Sequence, residues 1–274
     1  MRVLILSVTA GFGHHATAKA VGDMLTSKGA EVHTLDVYAY ISNLIKATID
    51  KGYLFSSKHM QTLYRLVYQL AENGGAGYFT AGPSIINIIN ALGASKFARV
   101  IAGYAPDVIL CTHVFAAQMV DELKKRKKLD DIKTIGIVTD YTLHPYWEDV
   151  PHVQYIVTAS ELLTFRCVKR GIPERRILPF GIPVHPKFNQ KLARSDAAAQ
   201  LGIDPQQRTL LLMGGSMGYA DHVKTLEKLT ALGFPLQLLV VCGNNKKQFV
   251  QVEQFASRYQ GDCVIKPYGF VHNV

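Results

Sequence analysis

The first candidate for a functional residue is a histidine that follows a glycine-containing segment. Gly11-Phe12-Gly13-His14-His15 comes after the apolar run 3–6 and before residues 16–25, which have a helical pattern. A branched apolar run of this kind predicts a strand buried on both faces, so a strand, a glycine turn and a helix start follow one another. In a doubly wound α/β domain, this turn lies at the carboxyl edge of the sheet, where ligands bind. His14 would then face a cleft with an imidazole that titrates near neutral pH, and a helix-capping or solvated histidine is the alternative.

A second polar segment follows the predicted strand 133–139. It carries Asp140, His144 and Trp147, which is the only tryptophan of the chain. Asp140 can orient a histidine or bind a sugar hydroxyl, and Trp147 can offer an apolar face to a lipid or a sugar ring. The alternative is a turn that simply buries the tryptophan.

A third segment is rich in glycine and lies between a predicted buried strand, 208–213, and a predicted helix, 219–232. Its residues are Gly214, Gly215, Ser216, Met217 and Gly218. Glycines at a helix start let backbone N–H groups approach a diphosphate. A tight turn without a ligand is the alternative.

The elements that must position these segments alternate along the chain. Further strands are predicted at 31–36, 106–112, 133–139 and 155–160, with helical patterns in the spaces, which indicates a parallel sheet covered on both faces. Residues 177–186 contain three prolines and are interpreted as a hinge that can form neither a helix nor a central strand. After the hinge, strands at 208–213, 236–242 and 263–266 alternate with two helices. The prediction is therefore two doubly wound domains, 1–180 and 181–274, the second incomplete.

Composition narrows the range of partners. The 274 residues are 48% hydrophobic and 19% charged, with a formal net charge of +9 and a pI near 9.3, which favours anionic partners. The basic excess is present in both halves, so no nucleic-acid-binding arm is expected. The four cysteines form no CxxC pair and no carboxylate cluster is evident, so we expect reduced thiols, no metal and no cofactor. Without a signal-peptide pattern or a stretch of about 20 apolar residues, a cytoplasmic protein with at most peripheral membrane contact is expected.

Two stretches could provide that membrane contact. The insertion 38–104 interleaves aromatic and aliphatic residues with lysines, which fits either an interfacial surface or a helical hairpin packed on the sheet. The basic run 124–128 fits either a solvated helix end or an attraction to anionic lipid.

Taken together, these motifs resemble those of the monogalactosyldiacylglycerol synthase and processive diacylglycerol glucosyltransferase family. These are lipid glycosyltransferases of the GT-B fold in glycosyltransferase family 28, related to the peptidoglycan enzyme that glycosylates lipid I. The resemblance is carried, in the family's order, by GFGH (11–14), VTDYTLHPYW (138–147), FGIPV (180–184) and MGGSMG (213–218).

The resemblance implies a function and a role for each segment. It implies inverting transfer of galactose or glucose from UDP-galactose or UDP-glucose to diacylglycerol, on the cytoplasmic face of an anionic membrane. His14 is then the catalytic base. Acceptor or lipid contacts are implied for Gly11, Phe12, Gly13, Asp140, His144 and Trp147, and donor contacts for Gly214, Gly215, Ser216, Met217 and Gly218. Family members continue for about half a domain past the position of Val274, and that part holds further donor contacts.

Three other interpretations stay open at this stage. The run 11–16 also fits a loose GxGxxG/A dinucleotide motif, with Asp36 at the end of the second strand as the ribose-binding acid. The acceptor could be a different lipid or a polyprenyl compound. The chain could also be a non-catalytic membrane-binding module.

Overall fold

The computed structural model describes residues 1–8, 12–37, 39–40, 97–215 and 220–271, with only the backbone described for Phe12. The chain divides into two compact units, Met1–Pro186 and Lys187–Val274. Most of the insertion 38–104 lies outside the described residues, so the expectations for its surface stay predictions. Residues 97–104 are helical, and Phe97 and Ile101 are fully buried.

The first unit contains a parallel six-stranded sheet. Its strands lie in the order β2-β1-β3-β4-β5-β6, and every neighbouring pair is parallel. They are β1 Arg2–Ser7, β2 Glu31–Asp36, β3 Val108–Cys111, β4 Lys133–Ile137, β5 Tyr155–Val157 and β6 Ile177–Leu178. The predicted α/β class with a parallel sheet is confirmed.

Strand β1 lies inside the sheet, and its apolar side chains are buried on both faces. Leu4 and Leu6 pack into the larger core cluster, whereas Val3 and Ile5 pack on the opposite face with Ala18. Successive side chains of a strand point to opposite faces, so a continuous branched run can only be satisfied by cover on both sides. The helices of this unit supply that cover: α1 Phe12–Ser27, α2 Val114–Lys125 and α3 Glu161–Lys169.

The predicted hinge at 177–186 is partly wrong. Ile177 and Leu178 pair with β5 as the outermost strand of the sheet. The prolines lie only from Pro179 onward, and an edge position tolerates the chain leaving the sheet there. The division between the two units follows Pro186, at the end of this stretch.

The second unit contains a parallel three-stranded sheet in the order β7-β8-β9, covered by helices. Its elements are α4 Arg194–Leu201, β7 Thr209–Met213, α5 His222–Thr230, β8 Gln237–Val241, α6 Lys246–Arg258 and β9 Val264–Tyr268. The prediction that β7 is buried is wrong, since Leu211 and Met213 are 53% and 44% exposed. The reason is its position at an edge of the sheet. Among the described strands, β7 pairs with β8 alone, whereas β8 lies between two neighbours and is buried along its whole length.

The assignment of Trp147 to a lipid-binding surface is also wrong. Its indole is 4% exposed and belongs to the main core of the first unit. It packs over Gly136 of β4, where only a residue without a side chain leaves room for the ring. Trp147 therefore anchors the segment after β4 and does not offer its face to a ligand.

Replacing Gly136 with alanine tests this packing. The new methyl group would overlap the indole, reaching 3.0 Å from Cη2, so we expect Gly136→Ala to lower the free energy of unfolding by about 1–3 kcal/mol. Gly103, in the helix 97–104, has open space around its missing side chain. Gly103→Ala is the matched control, and we expect a gain of up to about 1 kcal/mol there. Thermal unfolding followed by circular dichroism measures both, and equal stability of the two variants would contradict the packing.

Candidate functional site

The candidate site lies where the order of the strands reverses. The chain passes from β1 to β2 on one side and then returns to β3 on the other side of β1. At such a switch point the connections after the two strands leave the sheet in opposite directions, which opens a crevice at the carboxyl edge. His14 follows β1, and Thr112 and His113 follow β3. The fold therefore brings these three residues together.

The ring of His14 is held through its Nδ1 atom. Nδ1 lies 2.7 Å from the carbonyl oxygen of Thr112 and 3.0 Å from Oγ1 of Thr139. A carbonyl oxygen can only accept, so Nδ1 carries the proton and donates it to Thr112. The lone pair of the neutral ring is then on Nε2, and within the described part of the chain no hydrogen bond to Nε2 is found. This is the tautomer that a general base needs.

The backbone of Thr112 is fixed by the sheet. Its N–H donates to the carbonyl of Leu6 over 3.0 Å, which continues the β1–β3 pairing past the end of β3. The Thr112 carbonyl is thereby set against the first turn of α1, where His14 lies. The position of the imidazole is thus determined by the register of two core strands.

Opposing effects act on the proton affinity of His14. Burial is the largest and lowers its pKa below 6.5, and the neighbouring His15 acts in the same direction. The Thr112 carbonyl and the negative charge of Asp140 act to raise the pKa. His14 is therefore neutral at neutral pH, and the Thr112 carbonyl and Asp140 stabilise its protonated form when it takes up a proton.

His113 is a buried neighbour that the sequence interpretation missed. Its ring centroid lies 4.5 Å from that of His14, with the rings at 74° to each other. Its Nδ1 accepts from the backbone N–H of Phe115 over 3.1 Å and caps α2. Burial lowers the pKa of His113 to about 3, so its ring is neutral. The missed signal was a polar pair, Thr112 and His113, directly after a buried strand.

The residues after β4 complete this edge. Thr139 reaches His14, and Asp140 is exposed beside it, so the structure brings two residues of the 138–147 motif to the predicted base. His144 has a structural contact instead: its Nδ1 accepts from Tyr146 N over 3.3 Å and caps the 3-10 turn Pro145–Trp147. A proton on His144 would disfavour one on His113, which adds to the lowering of the His113 pKa by burial.

His15 and Asp36 face away from this cluster. His15 Nε2 lies 3.3 Å from Asp36 Oδ2, and the Asp36 carboxylate also accepts from the backbone of Ala39. His15 lines an open groove of about 430 Å³ between α1 and β2 together with Lys19 and Asp23. The acid proposed for a dinucleotide ribose is thus already held by a histidine and a backbone N–H.

The predicted glycine turn before His14 is shorter than expected. Helix α1 begins at Phe12, so Gly13 and His14 belong to its first turn. Among the described residues, none has an atom within 4 Å of a methyl group placed on Gly13. Gly11 lies outside the described residues, as does the side chain of Phe12.

The glycine-rich segment after β7 is described only in part. Gly215 has a φ of +71°, and a side chain on Gly214 would come within 2.9 Å of the backbone nitrogen of Ala220. Both glycines thus meet a backbone requirement of the turn. Ser216, Met217 and Gly218 lie outside the described residues. The helix begins at His222, later than predicted, because the carboxylate of Asp221 caps it by accepting from Lys224 N.

Searches of the described residues for two further features gave negative results. They contain no group of three or more histidine, cysteine or acidic side chains arranged to hold a metal ion. None of the helices described is both long enough and apolar enough to cross a membrane.

Solved structures define the class of fold. The chain is similar to MurG of Acinetobacter baumannii, with a TM-score of 0.58 and 15% identity, over 99% of this chain and 68% of that one. It is also similar to a glycosyltransferase of Rickettsia africae, with a TM-score of 0.54 and 13% identity, over 99% and 69%. The fold is that of the GT-B glycosyltransferases, as predicted.

The family follows from the sequence comparisons. The family model for monogalactosyldiacylglycerol (MGDG) synthase matches residues 14–184, and the chain belongs to this family. A processive diacylglycerol beta-glucosyltransferase of Bacillus pumilus is 28% identical, over 92% of this chain and 64% of the relative. The chloroplastic MGDG synthase of Spinacia oleracea is also 28% identical, over 98% and 56%. The chain thus spans about three fifths of the length of these relatives.

The buried His113 predicts a dependence of stability on pH. An unfolded histidine takes up a proton near pH 6.5, whereas folded His113 stays neutral down to about pH 3. Between these values the unfolded state binds more protons, so stability falls as the pH falls. We expect the unaltered chain to lose about 1 kcal/mol more than His113→Asn between pH 7.5 and 5.5, since asparagine can still cap α2. Urea unfolding followed by the fluorescence of Trp147, the only tryptophan, reports on this unit. An equal loss in both proteins would contradict the buried neutral ring.

Proposed function

We propose that this chain is part of a glycosyltransferase that moves galactose or glucose from a UDP-sugar to the hydroxyl of diacylglycerol, with inversion at the anomeric carbon. The observation that carries the proposal is His14, kept neutral by burial and held through Nδ1 by the Thr112 carbonyl, at the switch point of a chain in the MGDG synthase family. The curated relatives named above support diacylglycerol as the acceptor and a hexose as the group transferred.

The geometry of His14 suits the proton transfer that this reaction requires. Nε2 takes the proton of the acceptor hydroxyl while the hydroxyl oxygen forms a bond to the anomeric carbon. The bond from that carbon to the diphosphate oxygen breaks on the opposite face, and UDP leaves with the bonding electrons. The resulting imidazolium still donates from Nδ1 to the Thr112 carbonyl and lies near the negative charge of Asp140. Both interactions are stronger with the charged ring, so they stabilise charge that develops in the transition state.

The donor diphosphate is assigned to the turn after β7. The left-handed backbone of Gly215 and the close approach of Gly214 to Ala220 support a tight turn between β7 and α5, and glycine-rich turns before helices are common anion sites. Ser216, Met217 and Gly218 remain donor-binding residues by prediction. No metal ion or cofactor is needed in this proposal, because the UDP-sugar is a substrate and the base is a side chain.

Diacylglycerol lies in a bilayer, so the proposal includes peripheral binding to the cytoplasmic face of an anionic membrane. Three basic side chains at the end of α2 are exposed and available for it, Lys125, Lys127 and Lys128. Arg126 is less available, because it pairs with Glu122 over 2.7 Å. Each basic residue near anionic lipid contributes roughly 1 kcal/mol.

A sugar-transfer assay tests the proposal. Labelled UDP-galactose and UDP-glucose are offered on vesicles of diacylglycerol with or without anionic lipid, to this chain and to a version extended by the carboxyl-terminal part of the Bacillus pumilus relative. We expect glycosylated diacylglycerol from the extended form and a rate reduced by about 10²–10⁴ in His14→Ala. His15→Ala is the matched control and keeps its rate, since His15 faces Asp36. Without anionic lipid, both turnover and co-sedimentation with vesicles decrease.

Other outcomes would overturn parts of the proposal. Product formed only on a polyprenyl acceptor would replace diacylglycerol. Folded, vesicle-bound protein without any product would favour a non-catalytic module. Equal rates for His14→Ala and His15→Ala would remove His14 from the chemistry.

A further inference from the structure

His113 is a buried side chain that lies between the rings of Phe115 and His14. It is 4% exposed, its Nδ1 is occupied by the N–H of Phe115, and its ring lies 5.0 Å from the Phe115 ring. On its other side the ring meets His14 in an edge-on arrangement. One buried side chain thus joins the start of α2 to the candidate base on α1.

We propose that His113 is a positioning residue for His14, its ring keeping the His14 imidazole in the orientation that directs Nδ1 to Thr112 and Nε2 to the acceptor. The inference rests on the proposed function of His14. A histidine ring can turn about its bond to Cβ, and a turned ring would present carbon to the Thr112 carbonyl. The 4.5 Å contact with His113 leaves little space for that rotation.

The neutral state of His113 matters as well as its shape. A charged ring at this distance would oppose the positive charge that His14 acquires when it takes a proton. The N–H of Phe115 occupies Nδ1 of His113 as an acceptor, and burial disfavours a second proton. The neutral ring of His113 therefore packs against His14 and adds no second positive charge beside it.

The other groups that act on His14 set the limits of this role. On α1 it is His15, and after β4 the Thr139 hydroxyl and the Asp140 carboxylate. After β3 the Thr112 carbonyl accepts from the ring, and His144 acts electrostatically on His113. Burial has the largest effect on the pKa of His14 and lowers it, so we expect removal of the His113 ring to let water approach and to raise this pKa towards 6.5.

Two substitutions distinguish the ring contact of His113 with His14 from its role as the cap of α2. Asparagine caps helices well but has no ring, so His113→Asn keeps the cap and removes the contact with His14. Phenylalanine keeps a ring but cannot accept from Phe115, so His113→Phe keeps the contact and loses the cap. The pKa of His14 is measured by NMR titration of its ring protons in the full chain, and kcat and KM are measured in the extended form described above.

The expected results differ between the two variants. In His113→Asn the pKa of His14 rises, kcat falls by about tenfold because misoriented rings are unproductive, and KM is unchanged because His113 touches no substrate. In His113→Phe the His14 pKa and kcat stay close to those of the unaltered protein, while stability falls with loss of the cap. An unchanged His14 pKa and kcat in His113→Asn, or equal losses in both variants, would overturn the inference.

The NMR result separates this inference from the function itself. A raised His14 pKa in His113→Asn, in a protein that transfers no sugar, would keep the positioning role and reject the glycosyltransferase. Sugar transfer that depends on His14 but not on His113 would keep the glycosyltransferase function and reject the positioning role of His113.

Discussion

The hydrogen bond from His14 Nδ1 to the Thr112 carbonyl is the interaction on which the candidate site depends. It fixes which ring nitrogen carries the proton, and it joins the first turn of α1 to the end of β3. Because a backbone carbonyl is part of the sheet, its position does not vary with a side-chain rotamer. The same bond stabilises both the neutral and the protonated ring, so the base does not have to reorganise when it takes a proton.

The rest of the first unit serves to place that carbonyl. Continuous apolar runs in β1 and β3 bury both faces of the sheet, and the bond from Thr112 N to Leu6 extends their pairing to the edge. The passage of the chain from β1 to β2 and back to β3 makes this point a topological switch point, the place where open α/β sheets generally bind ligands. Burial of His14 then lowers its pKa, and the Thr112 carbonyl and Asp140 counteract this effect. The chemistry of one histidine is thus an outcome of strand order and core packing.

Much of this could be predicted from local patterns. Branched apolar runs located β1 and its neighbours, and the order strand, glycine, histidine, helix placed His14 at a ligand-binding edge. What could not be predicted depends on contacts between distant residues. The proximity of His113 to His14 requires knowing that β3 lies beside β1, and the burial of Trp147 requires knowing that Gly136 faces it. The exposure of β7 depends in the same way on its edge position and not on its apolar sequence.

The role of His14 as a base is tested most directly by determining which ring nitrogen carries its proton at neutral pH. The ¹⁵N chemical shifts of the ring, measured in two-bond ¹H–¹⁵N correlation spectra, identify the tautomer. We predict a single neutral tautomer with the proton on Nδ1, unchanged by added vesicles. A proton on Nε2, or a rapidly averaged mixture of both tautomers, would contradict it, because the lone pair would then face Thr112 and His14 could not serve as the base.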